Sequence, residues 1–262
     1  MKRIISVLLM AALIAAMALG VAACGEEPAS SSATGLKTVV AGELHMATNA
    51  AFPPYEMLAD DGISYEGIDV EIATEIAKML GLTLVVDDMD FSSVITAVQE
   101  GKSDIAMAGL TVTDERKLNV NFTETYATGI QVIIVKEDSS IVDVNGLDGA
   151  KIGTQEATTG YFYCSDDYGE DNVVAYQTGA NAIQALLNGQ VDCVVIDNEP
   201  AKAFVAANAG LKILDTEYVT EDYAIGISKD NAELLAEVDN ALKTLIDNGT
   251  VKKILDKYIS AE

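Results

Sequence analysis

The sequence predicts an α/β protein built from two similar lobes, and three observations lead there. Short apolar strands alternate with amphipathic helices from Lys37 onward, the pattern of mostly parallel sheets with helices on their faces. A helix–Gly–strand unit then recurs. Ile95–Asp104 aligns without gaps on Ile183–Asp192, with Ile, Ala, Gly and Asp at the same places. Finally, the strands that follow the two copies run out at Gly109 and at Asp197. Both therefore deliver polar groups to carboxyl ends of strands, the usual ligand edge of open α/β sheets.

Taken in order, Leu44–Thr48 reads as the first strand, broken by the aromatic, proline-stiffened loop Asn49–Tyr55. Asp69–Leu80 is predicted helical, with Ile72, Ala73, Ile76, Met79 and Leu80 on one face and Gly81 ending it. Leu82–Val86 is the next strand. A helix over Phe91–Glu100 follows, with Val94, Ile95 and Val98 inward and Gly101 at its end. Asp104–Ala108 is a strand that delivers the chain to Gly109. In the second half, Lys151–Thr154 is a strand and Gln155–Gly160 leads into an aromatic helix near Tyr161. Hydroxyls and free N–H groups at that helix start favour an anion, although a lone Thr-Thr-Gly is also an ordinary cap. A strand over Ala224–Ser228 and helices over Asn231–Asp247 and Val251–Ile259 close the chain.

Charge narrows the function. The chain of 262 residues carries 41 Asp and Glu against 16 Lys and Arg, a net −25. Nothing in it could neutralise a row of phosphates, so nucleic acid is excluded as a partner. His45 is the only histidine, which leaves no multi-histidine metal site or serine–histidine triad. No Gly-x-x-x-x-Gly-Lys-Ser/Thr run is present, so no ATP site of that kind exists. Neither a metal nor a cofactor is expected.

The N-terminus reads as an export signal. Met1-Lys2-Arg3 supplies the positive start, Ile4–Val21 the apolar stretch, and Val21-Ala22-Ala23 the small residues before Cys24. Residues 1–23 are expected to be a signal peptide of lipobox type with Cys24 lipidated, and 24–36 a flexible polar tether. A permanent membrane anchor is the competing reading. Cys164 and Cys193 remain. A disulfide and buried free thiols are both open for them.

Within the expected mature chain Arg116 is the sole arginine. It follows Gly109-Leu110-Thr111-Val112-Thr113 at a strand-to-helix junction. A guanidinium forks onto a carboxylate with two parallel N–H bonds, and a helix start adds further donors. The competing reading is a Thr113 cap followed by a solvated Asp-Glu-Arg-Lys turn.

The order Asn49…Phe52-Pro53-Pro54-Tyr55-Glu56, Gly67-Ile68-Asp69-Val70-Glu71, Gly109-x-Thr111-x-Thr113-x-x-Arg116 and Asp197, closed by Asn248-Gly249-Thr250, resembles the polar amino-acid binding proteins of bacterial ABC importers. The resemblance runs from Lys37 to Ile259, and its Gly-x-Thr-x-Thr-x-x-Arg segment is the most specific part. It implies a two-lobed periplasmic-binding-protein-like clamshell of type II. Lobe one would be 37–127 with 222–262 and lobe two 128–221, hinged by short strands near Tyr126–Gln131 and Val219–Tyr223. Arg116, with Thr111 and the N–H of Thr159, would hold the ligand α-carboxylate; Asp197 and the Gly109 carbonyl would hold the α-ammonium. Phe52 and Phe91 would sandwich the side chain, or serve simply as core.

The family's basic-amino-acid binders often carry an acid where Asn49 stands, so Asn49 and Gln155 favour a neutral polar ligand such as glutamine. Ala157 stands where the family loop usually has glycine. The implied partners are an amino acid, a membrane permease and the bilayer through the lipid anchor. The protein is expected to be monomeric and extracytoplasmic. The rival is an enzyme on the same fold, a dehydratase for prephenate-like carboxylates, with Glu56, Glu156 and His45 as candidate acids or bases.

Overall fold

The computed structural model describes residues 35–259; the predicted leader, Cys24 and most of the tether lie outside them. Strand β1 (Glu43–Thr48) turns Leu44 and Met46 into the core. A small antiparallel sheet of β2 (Ala51–Phe52), β3 (Glu56–Leu58) and β4 (Tyr65–Glu66) follows, then α1 (Ile68–Met79) and β5 (Thr83–Asp88). Helix α1 buries Ile68, Ile72, Ala73, Ile76 and Ala77, one stripe of helical period. Met79, expected inward, is 48% exposed; it falls off the end of that stripe, and Leu80 beyond it is buried instead. Helix α2 (Phe91–Gln99) buries Val94 and Val98 as expected, but Ala97 takes the inward place that the sequence assigns to Ile95, which is half-buried.

Strand β6 is only Ile105–Ala106, shorter than expected. The chain turns away at Gly109, with φ 52, and the Gly109 N–H goes to Asp69 at 2.9 Å rather than to a strand. Helix α3 (Asp114–Asn119) then leads into β7 (Val120–Lys136). The second half comprises β8 (Ile152–Gln155), α4 (Thr159–Tyr168), β9 (Val173–Tyr176), α5 (Gly179–Leu187), β10 (Cys193–Asp197), α6 (Asn198–Ala207) and β11 (Leu211–Ile213). Strand β12 (Val219–Ser228) returns, and α7 (Ala232–Asp247) and α8 (Thr250–Tyr258) finish the described chain.

The main sheet runs β5-β1-β6-β12-β7-β10-β8-β9, with β11 beside β7. Pairs β1–β5, β1–β6, β10–β8 and β8–β9 are parallel, as the alternation predicts. The antiparallel pairs of this sheet all involve β7 or β12. These two cross from one half to the other. The expected short hinge strands are parts of long ones, Tyr126–Gln131 the middle of β7 and Val219–Tyr223 the first half of β12. Val219–Tyr223 lies against Gln131–Ala127 in unbroken register, and irregularities follow at Tyr223/Ala224 and Ala224/Gly226, where bulges bend and twist a strand.

The repeat is spatial as well as sequential. Asp104 exchanges two bonds with His45, its carboxylate accepting from the His45 N–H and its own N–H donating to the His45 carbonyl, each at 2.8 Å. Asp192 makes the same two bonds to Lys151, again at 2.8 Å. Each aspartate thus clips the turn after its helix to the start of a neighbouring strand.

One glycine fixes how the β2–β4 sheet meets α1. Gly67 has φ 132, and a Cβ there would overlap the backbone carbonyl of Tyr55. That neighbour cannot swing aside. Gly67→Ala should therefore cost about 1–3 kcal/mol and lower the melting temperature by several degrees. Thermal denaturation measures this, and an unchanged melting point would show that the loop relaxes freely.

Candidate functional site

The two readings of the Arg116 segment are both partly realised. Thr113 caps α3, its hydroxyl oxygen accepting from the Arg116 N–H at 3.1 Å, and Asp114 pairs with Lys117 at the surface at 3.2 Å. Arg116 itself is not part of that solvated turn: it is 8% exposed. Its Nη1 donates to the Thr111 carbonyl at 2.9 Å and its Nη2 to the Ala157 carbonyl at 3.2 Å. The Phe91 ring lies 5.4 Å from the guanidinium carbon, a cation–π contact. Burial pulls Arg116 below its ordinary value, opposed by the charges of Glu221 and Asp197; an arginine stays charged under such a shift. With five N–H donors and two spent on carbonyls, it keeps donors for an anion.

Those carbonyls come from opposite halves of the chain. Thr111 follows β6, whereas Ala157 belongs to the β8–α4 loop and has φ 61, a left-handed conformation that residues with a side chain seldom adopt. The position that favours glycine is thus occupied by alanine, and its carbonyl is what meets Arg116. Thr158 caps α4, accepting from the Tyr161 N–H at 3.3 Å and donating to the Gln155 carbonyl at 2.7 Å. The helix begins at Thr159, two residues before the position expected from the sequence. The Thr159 N–H is one of the first-turn donors that have no carbonyl behind them.

Around Arg116 the structure forms a small, largely closed pocket with an interior of about 20 Å³, little more than the room one water needs. Asn49, Phe52, Phe91, Gly109 and Thr111 line it from the first half, with Arg116. Gln155, Thr159 and Asp197 line it from the second. All the residues expected to touch ligand are therefore on one pocket wall or another. Cys24, the expected lipidation position, lies outside the described residues. Asn49 and Gln155 meet directly: Gln155 Nε2 donates to Asn49 Oδ1 at 2.9 Å, and Asn49 Nδ2 donates to the Met89 carbonyl at 2.8 Å.

The carboxylates are the less legible part. Asp197, 7% exposed, accepts from the Tyr223 hydroxyl; burial and then the charge of Glu221 push it up to about 7. Asp69 reads in sequence as a first-turn helix acid. It is fully buried, accepts from the Gly109 N–H at 2.9 Å and the Tyr126 hydroxyl at 2.8 Å, and is raised by burial to about 6. Glu56 also lines the pocket. It is fully buried, and burial, then the charge of Asp69 and a side-chain hydrogen bond shared with it, hold it well above the ordinary range. Sequence reasoning misses Glu221, Gln131 and Tyr223 altogether. Their only signal is alternation along β12 and β7, which names a face but not what it faces.

The other candidates lie elsewhere. His45 bonds Glu43 at 3.0 Å and Asp87 at 3.1 Å, and Glu156 is exposed; neither lines the pocket. Cys164 and Cys193 are both free and buried in one apolar cluster, each raised by burial to about 12. Of the two readings left open for them, the structure takes the thiols. Among the described residues no cluster of three His, Cys, Asp or Glu could hold a metal ion, and no helix is long and apolar enough to cross a membrane.

Comparison with known proteins adds to this geometry. The model of the bacterial extracellular solute-binding proteins, family 3, matches residues 44–261. The chain is 30% identical over 253 residues to an arginine-binding extracellular protein of Bacillus subtilis, covering 92% of each. It is 28% identical to the ABC transporter arginine-binding protein 1 of Escherichia coli, over 82% of this chain and 90% of that one. Among solved structures it is similar to an ancestral arginine-binding protein bound to glutamine, with a TM-score of 0.80 and 36% identity over 85% of this chain and 100% of that one. These relatives are solute-binding proteins rather than enzymes, and the fold is the periplasmic-binding-protein-like α/β fold. The chain belongs to the bacterial extracellular solute-binding proteins, family 3.

Proposed function

We propose that this chain is the extracytoplasmic substrate-binding component of an ABC importer and that it captures a polar L-amino acid at Arg116. The observation that carries this is a buried guanidinium and a buried carboxylate, Arg116 and Asp197, on the walls of one pocket. Arg116 and the Thr159 N–H take the α-carboxylate; Asp197 and the Gly109 carbonyl take the α-ammonium. Both charges of the zwitterion then meet charge-assisted hydrogen bonds away from water. Thr111 serves chiefly through its backbone, since its hydroxyl donates to Glu221 at 3.3 Å.

On this reading lobe one is 37–127 with 222–262 and lobe two is 128–221, and the strand segments Tyr126–Gln131 and Val219–Tyr223 are the hinge. Ligand contacts from both lobes stabilise the closed form, which a separate permease and ATPase would recognise. A lipid on Cys24 would keep the protein at the membrane.

Two observations bear on the ligand side chain. The amides of Asn49 and Gln155 support a glutamine-like end, and one similar structure is described as bound to glutamine. Asn49, however, is engaged at both ends of its amide. Glu56 instead places on the pocket wall a buried acid that shares a hydrogen bond with Asp69 and is held protonated by burial and by the charge of Asp69. A cationic side-chain end would favour its ionisation and pair with it. This favours an arginine-like end, in line with the relatives described as arginine-binding.

Thermal-shift titration against the twenty amino acids, ornithine and cystine decides between them. Ligand at about 100 times its Kd adds about 2.7 kcal/mol to folding stability, a clear upward shift. The larger shift is expected with L-arginine, and Glu56→Gln should erase most of its advantage over L-glutamine. A larger shift with L-glutamine would return specificity to Asn49 and Gln155. No shift with any amino acid would point to prephenate-like carboxylates and the enzyme reading.

Arg116→Ala should weaken binding of whichever amino acid is found by at least about 100-fold, the cost of leaving a buried carboxylate without its partner. Calorimetric titration measures this, with circular dichroism as the check on folding. Wild-type affinity in the variant would remove Arg116 from the site.

A further inference from the structure

Glu221 is a buried acid that does not line the pocket and belongs to no apolar cluster. It lies on β12 and is 4% exposed. Its Oε2 accepts from Gln131 Nε2 at 2.8 Å and from the Thr111 hydroxyl at 3.3 Å, and the Tyr163 side chain hydrogen-bonds to the same carboxylate. Two routes lead from it to the two poles of the pocket. Thr111, which donates to Glu221 with its hydroxyl, accepts Arg116 with its carbonyl at 2.9 Å. Tyr223, two residues along the same strand and hence on the same face, donates its hydroxyl to Asp197.

The space between the acids is kept open by a glycine. Gly129 pairs with Glu221 across the β7–β12 ladder. A Cβ on Gly129 would run into the Tyr223 hydroxyl and come within 2.8 Å of Asp197 Oδ1. Gln131, the other donor to Glu221, stands opposite Asp197 in the β7–β10 register. Glu221 and Asp197 therefore share neighbours, and both act on the Arg116 guanidinium.

We propose that Glu221 is a positioning residue for both poles of the amino-acid site: it seats Thr111, and so Arg116, at the carboxylate pole, and across Gly129 its charge opposes a second charge on Asp197 at the ammonium pole. The ligand part of this rests on the reading of the pocket as an amino-acid site. The groups facing Glu221 are Arg116, Asp197, Tyr163 and Tyr223. Like charges disfavour joint ionisation, and Asp197 is held at about 7 by burial and by Glu221.

A raised carboxyl has a definite sign. Between about pH 4 and about pH 7 the folded chain keeps a proton on Asp197 that the unfolded chain has lost. Stability from this group therefore falls as pH rises through that window. Ligand capture runs the other way, because an α-ammonium needs the ionised Asp197.

The test is Glu221→Gln, which keeps an acceptor for Thr111 and Gln131 and removes the charge. Melting temperatures of ligand-free wild type and variant are followed from pH 5 to pH 8. With less opposing Asp197 ionisation, the variant should lose less stability as pH rises, so it is expected to gain several degrees relative to wild type across this range. Glu56 and Tyr55 also face Asp197, and Glu56 and Asp69 are raised by burial. Glu56→Gln placed in both backgrounds removes the Glu56 contribution, and the divergence between the proteins with and without Glu221→Gln should persist there. Parallel profiles for the two proteins would overturn the ammonium-pole half of the proposal without any ligand being involved.

The second arm is binding of L-arginine and L-glutamine at pH 6 and pH 8. Wild type should bind about tenfold more weakly at pH 6, one unit below the Asp197 value of about 7, and Glu221→Gln less than about threefold more weakly. Glu221→Ala, which removes the acceptor as well, should lose affinity at both pH values; wild-type affinity there would overturn the carboxylate-pole half. Should neither amino acid bind wild type while the melting profiles diverge, the ligand reading fails and the Glu221–Asp197 coupling stands. Binding with parallel melting and pH profiles would instead leave the ligand reading standing and remove the coupling.

Discussion

The one buried guanidinium among the described residues of a strongly acidic chain is the constraint on which the site depends. Arg116 is held by two carbonyls, one from the segment after β6 and one from the β8–α4 loop. Because these come from opposite halves of the sheet, the arginine joins the halves as well as marking the anion pole. The excess of acid gives this its force. Glu56, Asp69, Asp197 and Glu221 are all buried near the pocket or its supports, and Arg116 is the buried cation that answers them. Burying like charges is costly, so such a site holds protons, or accepts a cation, or both.

Backbone geometry makes this crowding possible. Gly109 has φ 52, and a Cβ there would come within 2.7 Å of the Phe52 ring; its freedom lets the chain turn beneath an aromatic wall and hand its N–H to Asp69. Gly129 does the corresponding work in β7, leaving room for the Tyr223 hydroxyl against Asp197. Ala157 adopts a left-handed conformation without being glycine. Strain of that kind is kept where surrounding contacts over-determine it, and here the contact is the carbonyl that receives Arg116.

Much of this is legible because it is local. The Gly109–Arg116 segment, the capping Thr113 and Thr158, and the helix–Gly–strand repeat are short-range patterns with direct physical causes. The repeat carries more than its spacing predicts, since Asp104 and Asp192 make the same pair of bonds to His45 and Lys151. Where expectation and structure part, a tertiary contact has overridden a local pattern. Met79 keeps its helical spacing but runs past the buried stripe. The short hinge strands expected from the resemblance are long ones, because β7 and β12 find partners along most of their length.

The sequence by itself determined the α/β alternation, the duplicated unit and the segment that presents Arg116, while the other expected pocket residues followed from the family resemblance. Periodicity, capping and turn chemistry act over a few residues, and a chain read in order displays them. Only the tertiary structure decided which acids surround that arginine. Asp69, Glu56, Asp197 and Glu221 come from four separate elements; Asp197 stands out at its strand end and Glu56 within the resemblance, whereas Asp69 and Glu221 look in sequence like ordinary surface charges. Their role follows from burial and from the partners they meet or lack, and these are properties of packing between segments far apart in the chain.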